Sequence, residues 1–352
     1  MTAPNLYITA DAIGAPTGGG KVTYNEMVAL AALGPTEAWQ FSDLPRPWEP
    51  DHAAAERLLA LPGYRPERAH FYSGTFSRTI TILRERGTRV TYTCAAHDID
   101  VSRAEHELAG APFDYPHLTD PDQWRTYVRG YLQANHVICP SMYSAEIMRG
   151  YGCQRVTVIP HGFDPPISIA PPPVRFCVGY LGQPGQDKGL RYLFEAWALF
   201  DRANADARDA LLVIAGRGTE HVLPWVRQSI DGGSIHVLGE VKEPRDLYDA
   251  CCLYVQPSAS EGFGCEVLEA RAHGRPVIAT TGTGARDFAT EIVPARDARE
   301  LAHAIERWHR RWRRDPASLI EASDPSGIRT VSWDQIRGRY TELFLAESES
   351  AP

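Results

Sequence analysis

Short apolar runs rich in β-branched residues alternate along the chain with stretches whose apolar positions recur every three or four residues. Parallel strands produce this pattern. Each must be joined to the next by a crossover long enough to hold a helix, and strands covered on both faces show continuous apolar runs. The pattern predicts an α/β fold with strands near 6–9, 39–42, 70–73, 90–95, 136–139 and 156–160. It stops at His161-Gly162-Phe163-Asp164-Pro165-Pro166 and at Pro171-Pro172-Pro173. Proline has no N–H for a ladder or a helix, so this stretch is a linker. The alternation restarts at 175–182 and predicts further strands at 211–215, 235–238, 253–256 and 277–280. Two Rossmann-like units in series follow, over 1–165 and 173–330. Beyond them, Ile336, Tyr340, Leu343 and Phe344 form one helical stripe after Trp333, which needs a surface to pack on.

Length and charge narrow the functions. The 352 residues suffice for two cores, and 43% hydrophobic with 23% charged residues describes an ordinary globular chain. A net charge of -8 leaves no broad basic surface for a nucleic-acid backbone, so no nucleic-acid partner is expected. The start lacks a signal-peptide pattern, and no apolar run approaches the roughly 20 residues a bilayer requires, so a cytoplasmic protein is expected. Arg84, Arg86 and Arg89 could form a basic edge for a membrane, but Glu85 and the acidic balance favour solvated charges, and peripheral membrane contact is not favoured. The seven cysteines have no zinc spacing and are expected to be buried thiols. Trp124, Tyr127, Val128 and Tyr131 share a helical face that suits a core stripe better than a sugar-stacking platform.

The richest stretch runs from Pro257 through Glu261-Gly262-Phe263-Gly264-Cys265-Glu266 to Glu269 and Gly274, between two strands. A helix beginning near Gly262 would aim its N–H groups at the carboxyl edge of the sheet, where open α/β folds bind ligands. Glu261 and Glu269 would then stand about 12 Å apart along the axis. That separation suits the two ends of a long ligand with a diphosphate between them. Taken alone, the pair is better read as a helix cap, Glu261, and a surface ion pair of Glu269 with an Arg. Lys188-Gly189 opens the first helix of the second unit, and His97 follows the strand at 90–95. Gly18-Gly19-Gly20-Lys21 follows the first strand, with Gly19 and Gly20 as phosphate candidates. It is no P-loop, because Ala15 and Val22 stand where that motif needs Gly and Ser or Thr. Gly216-Arg217-Gly218 and Gly282-Thr283-Gly284 supply two glycines of a dinucleotide fingerprint, with His221 and Asp287 at the third position.

The pattern of Glu261, seven residues, Glu269 and then Ala-x-Ala-x-Gly-x-Pro-Val-Ile-Ala resembles the signature of glycosyltransferase family 4. Gly216-Arg217-Gly218, Leu238-Gly239-Glu240-Val241, Leu247-Tyr248-Asp249-Ala250 and Val158-Ile159-Pro160-His161-Gly162 extend the resemblance over most of the chain. It implies a GT-B architecture: two Rossmann-like domains facing across a cleft, with residues 333–352 returning to the first. It also implies a retaining transfer of sugar from a nucleotide-diphosphate donor, a UDP- or GDP-sugar, to a hydroxyl acceptor on a glycan, a lipid-linked chain or a small molecule. Implied roles are Glu261 with Gly262, Phe263, Gly264 and Cys265 on the sugar, Glu269 on ribose, Lys188 on the diphosphate, Val241 near the base and His97 at the reacting centre, oriented by Asp98. No Asp-x-Asp cluster stands in the expected donor loop, so neither a metal nor another cofactor is expected. One departure matters, since Tyr180 replaces the usual Arg after Gly179; Arg217 or the helix termini would have to supply that charge. A non-catalytic nucleotide-sugar-binding protein and an NAD(P)-dependent oxidoreductase are the alternatives.

Overall fold

The computed structural model describes residues 4–15, 17–44, 49–94, 96, 98–111, 121–204, 209–219 and 233–349. The chain divides into two compact units, one of 1–96, 113–162 and 333–352, the other of 97–112 and 163–332.

In the first unit, β1 (Asn5–Thr9), β2 (Thr36–Gln40), β3 (Arg68–Tyr72), β4 (Arg89–Thr93), β5 (His136–Cys139) and β6 (Val156–Val158) form a parallel sheet ordered β2-β1-β3-β4-β5-β6. The order reverses between β1 and β3, and the Gly-rich loop leaves β1 at that switch point, the place where open sheets accept ligands. The stripe expected after Trp333 is present. The helix Trp333–Glu349 packs on the helix Gly18–Ala31, with Ile336, Tyr340 and Phe344 buried and Arg337 donating a 2.7 Å bond to Asn25 Oδ1. Beneath it lies a wholly buried polar cluster, in which Glu26 accepts from Tyr7 at 2.9 Å and stands 3.2 Å from His70 Nε2. Arg84 and Arg86 donate to the carbonyls of Gln133, Leu58, Leu61 and Tyr64, so they brace loops rather than form a binding edge. Tyr131 is buried against Tyr92 with ring centres 4.3 Å apart, as a core stripe requires; the Trp124 side chain lies outside the described residues.

The second unit holds β7 (Cys177–Leu181), β8 (Leu211–Ala215), β9 (Ile235–Gly239), β10 (Leu253–Gln256), β11 (Val277–Thr280) and β12 (Glu291–Val293), again all parallel, in the order β12-β11-β10-β7-β8-β9. This is the six-stranded Rossmann order, with its switch between β7 and β10. The sequence pattern predicts only five of these strands. β12 is three residues long and its Ile292 is half exposed, so it carries no apolar run. Trp197 and Phe200 of the helix Leu190–Ala203 pack with Leu301 and Ile305 of the helix Ala298–Arg314 in one core.

Residues 97–112 differ from the expected division, which groups them with the first half. Their helix, Ile99–Ala109, packs against the turn Gln186–Lys188 of the second unit. Glu105, fully buried, holds it there, pairing with Arg296 at 2.7 Å and accepting from the Tyr192 hydroxyl at 3.0 Å. Six cysteines are buried and Cys265 is half-buried, all as free thiols. Burial pushes the Cys153 and Cys252 thiols up to about 11. Among the described residues, no helix is long and apolar enough to cross a membrane.

Candidate functional site

The loops leaving β7 and β10 at the switch point are joined through their backbones. After β7 the chain makes a one-turn 3-10 helix, Gln186–Lys188, and the Asp187 carbonyl accepts from the amides of Ala259 at 2.7 Å and Ser260 at 3.3 Å. Gly189 follows with φ +73°, and a Cβ there would collide with the Pro257 carbonyl, so the close approach of the two loops requires glycine. This contact delivers Lys188 to Glu261, and the two side chains form an ion pair, 28% and 18% exposed. Burial alone would push the Lys188 ammonium down, but the carboxylates of Glu261 and Asp187 outweigh it and hold the group above its ordinary range.

Glu261 does not stand on a helix. It bridges Thr283, its N–H donating to the Gly282 carbonyl and its own carbonyl accepting from Gly284, each at 2.9 Å, while Ala285 N–H donates to Phe263 at 2.7 Å. Gly282-Thr283-Gly284 therefore shapes the Glu261 loop. The helix begins at Cys265 rather than near Gly262, because Gly264 takes φ +91° and ends the extended segment. The 12 Å axial spacing expected for Glu261 and Glu269 accordingly does not apply.

Glu269 lies on the helix Cys265–Ala272 and accepts a 2.8 Å hydrogen bond from the hydroxyl of Tyr248, a buried residue of the helix Pro244–Ala250. Burial first, and then the charge of Glu269, raise the Tyr248 phenol far above its usual range, so it donates at any ordinary pH. Val241 packs on the cluster of Leu247 and Cys251 that carries this helix. Arg217 is drawn off instead. Its guanidinium, 67% exposed, pairs with Glu240 at 3.2 Å. Tyr180 is fully buried with its hydroxyl on the Gln183 carbonyl at 3.0 Å, and contributes no charge where an Arg was the usual residue.

His97 and His221 lie outside the described residues. Asp98 is described. Its Oδ1 accepts from Asp100 and Val101 at 3.0 Å, capping the helix Ile99–Ala109, so the expected role of orienting an imidazole competes with a cap. Its N–H donates to Ser260 Oγ at 2.7 Å, beside Glu261. Gly19 and Gly20 belong to the first unit, whereas Lys188, Glu261 and Glu269 belong to the second. The Gly20 N–H is bonded to Thr17 Oγ1 at 3.0 Å, and a Cβ on Gly20 would clash with Ala15, which gives Gly20 a structural duty.

Sequence reasoning missed Glu266 and Tyr248. Glu266 occupies the first turn of the helix between the two expected carboxylates; burial, then Glu261 and Glu269, push its carboxyl up to about 7. A single Glu in a first turn signals no more than favourable interaction with the helix dipole, and a Tyr before a strand signals core.

Residues 13–166 match the family model described as Glycosyltransferase Family 4, and residues 172–311 match the model described as Glycosyl transferases group 1. The chain belongs to the group 1, family-4-like glycosyltransferases of GT-B fold. This glycosyltransferase is 28% identical over 192 residues to the capsular polysaccharide biosynthesis glycosyltransferase CapM of Staphylococcus aureus, a match covering 49% of this chain and 48% of that protein. The matched region thus spans about half the length of that curated relative. In fold it is similar to sucrose-phosphate synthase from Thermosynechococcus elongatus, with a TM-score of 0.74 at 18% identity over 98% of this chain and 99% of that one. It is similar also to HepE of Anabaena in complex with UDP and glucose, with a TM-score of 0.69 at 18% identity over 97% of this chain and 100% of that one.

Proposed function

We propose that this glycosyltransferase moves a sugar from a nucleotide-diphosphate donor to a hydroxyl acceptor with retention of anomeric configuration, the donor lying along the carboxyl edge of β7 and β10. The observation that carries the reading is the Lys188–Glu261 ion pair at the switch point, with Glu269 held by Tyr248 on the helix that follows. Lys188 and the carboxylates then have distinct duties. The ammonium faces the diphosphate and stabilises the charge that grows on the leaving phosphate, a term of about 3 kcal/mol when one such donor is removed from a preorganised site. Glu261 accepts sugar hydroxyls, with Gly262, Phe263, Gly264 and Cys265 beside it. Glu269 accepts ribose hydroxyls, and Val241 lies toward the base.

In the step itself, the bond between the anomeric carbon and the phosphate oxygen breaks and leaves its electron pair on that oxygen. The acceptor oxygen bonds the same face of the carbon, and the acceptor proton passes to the departing phosphate. No enzyme carboxylate is bonded covalently, because Glu261 is paired with Lys188 and assigned to sugar hydroxyls. His97 is proposed to contact the reacting sugar, a reading supported by the bond from its neighbour Asp98 to Ser260. UDP-sugars are the first donors to try, since the HepE structure holds UDP and glucose.

A second reading, binding without turnover, draws on Tyr180 and its burial in the core. Incubation with UDP-glucose, GDP-mannose and ADP-glucose without acceptor separates the two. Transfer to water should release nucleoside diphosphate, the free sugar should appear first as the α-anomer by proton NMR, and Glu261→Ala should abolish the release. Binding with the donor left intact favours the second reading, and initial release of the β-anomer excludes retention.

A further inference from the structure

β10 is a parallel strand buried along its whole length, where apolar residues are the rule, yet it ends on a glutamine. Gln256 is 2% exposed, and a buried amide must find partners for both its ends. Its Oε1 accepts from the hydroxyl of Tyr254 at 2.9 Å, and its Nε2 donates to Ser258 Oγ at 3.0 Å. Tyr254, two residues earlier and so on the same face of β10, shares its hydroxyl with the Leu181 carbonyl at the end of β7, 3.1 Å away. Ser258 is held from β11 as well, because its carbonyl accepts from Thr280 Oγ1, which lies 3.2 Å from Thr283 Oγ1. Tyr254, Gln256, Ser258, Thr280 and Thr283 are all buried. The chain of bonds therefore runs from β7 through β10 and β11 to Thr283, the residue that bridges Glu261. The stems of Gln256 and Glu261 also converge. A methyl group placed on Gly264 would lie 3.4 Å from Glu261 Cγ, 3.4 Å from Thr283 Cγ2 and 3.8 Å from Gln256 Cγ.

We propose that Gln256 is a positioning residue for the sugar end of the donor site: its amide, tied to Tyr254 and Ser258, fixes the loop that delivers Glu261, and so governs how firmly the donor's sugar is held. The inference rests on the donor-site reading given above. The ties of this loop to Asp187, Gly282 and Gly284 are bonds between backbones, which form whatever the side chains. Gln256 acts through its side chain. Met has nearly its shape and would fill the same space, so packing alone does not call for an amide. What the amide adds is a fixed place for Ser258, three residues before Glu261. Lys188 and Glu269 are carried by other elements, the turn Gln186–Lys188 and the helix Cys265–Ala272. Loosening Ser258 should therefore weaken the grip on the sugar hydroxyls and spare the diphosphate and the ribose. Gln256→Met strands no buried hydroxyl at Tyr254, which keeps the Leu181 carbonyl as its acceptor.

The test is calorimetric titration of the full chain, comparing each nucleotide sugar with its own nucleoside diphosphate: UDP-glucose with UDP, GDP-mannose with GDP, and ADP-glucose with ADP. For the pair that binds, Gln256→Met should weaken the nucleotide sugar about tenfold, the size of one lost hydrogen bond to a charged group, and leave the nucleoside diphosphate within about twofold. In the Glu261→Ala background the same substitution should cause no further loss, because its effect passes through Glu261. Should Gln256→Met fail to fold, Ser258→Ala, which removes the other end of the bond, carries the same two expectations. Equal weakening of sugar and diphosphate, weakening of neither, or a loss that persists without Glu261 overturns the inference and leaves the donor site standing. Failure of all three nucleotide sugars to bind the wild type overturns both together.

Discussion

The hydroxyl of Tyr248 donates a 2.8 Å hydrogen bond to Glu269 across two helices that flank the β10 strand. Tyr248 is buried and cannot follow Glu269 if that side chain swings, so the bond fixes where the carboxylate points. Tyr248→Phe keeps the ring packing and removes the bond. A hydrogen bond to a charged group is worth about 1.5–3 kcal/mol, and because Glu269 keeps partial solvent contact the lower end applies, roughly tenfold in donor affinity. Calorimetry should show that loss with little change in Tm.

Gly189 is a backbone requirement rather than a ligand. Its φ of +73° and the nearby Pro257 carbonyl leave no room for a Cβ, so Gly189→Ala should part the loops that bring Lys188 to Glu261. Donor binding should be lost and Tm lowered. Gly110 provides the control, with φ +62° at a helix C-cap and open space around it. Gly110→Ala should cost about 1 kcal/mol and leave donor binding unchanged.

The last helix should behave as part of the first unit's core. Tyr340 is fully buried beside His70 and Phe344, and Glu347 ties the end of the helix to His136 at 2.8 Å and Arg155 at 2.5 Å. Tyr340→Ala should cost about 3–5 kcal/mol, the range for a large buried aromatic, measured as a lower midpoint in urea. Unchanged stability would mean that this helix is not anchored as described.

The fold was legible because parallel strands buried on both faces announce themselves as apolar runs, and the Pro-rich stretch after His161 separates the two series. What escaped was set by three-dimensional packing. β12 is too short to show a pattern, and its Glu291 is engaged by Trp308 and Arg307 from a distant helix. Residues 97–112 follow β4 in sequence, yet Glu105 finds its partners, Arg296 and Tyr192, far along the chain. Within the site, Glu261, Glu269 and Lys188 could be singled out by spacing, and Lys188 and Glu261 indeed meet. The true start of the helix could not, because it depends on the φ of Gly264. Nor could the raised carboxyl of Glu266, which comes from the burial and charges gathered around it. Arg217 reads as a phosphate candidate in the sequence, but in the fold Glu240 pairs with it.

The central claim is that Lys188 and Glu269 bind the diphosphate and the ribose of one nucleotide sugar. Calorimetric titration of UDP-glucose, GDP-mannose and ADP-glucose into the wild type, Lys188→Ala and Glu269→Ala tests it most directly. The account predicts that at least one of these donors binds and that each substitution weakens it by roughly tenfold or more, about 1.4 kcal/mol, with the fold intact by circular dichroism. Failure of all three to bind, binding of NAD(P) in their place, or donor binding indifferent to both substitutions would contradict it.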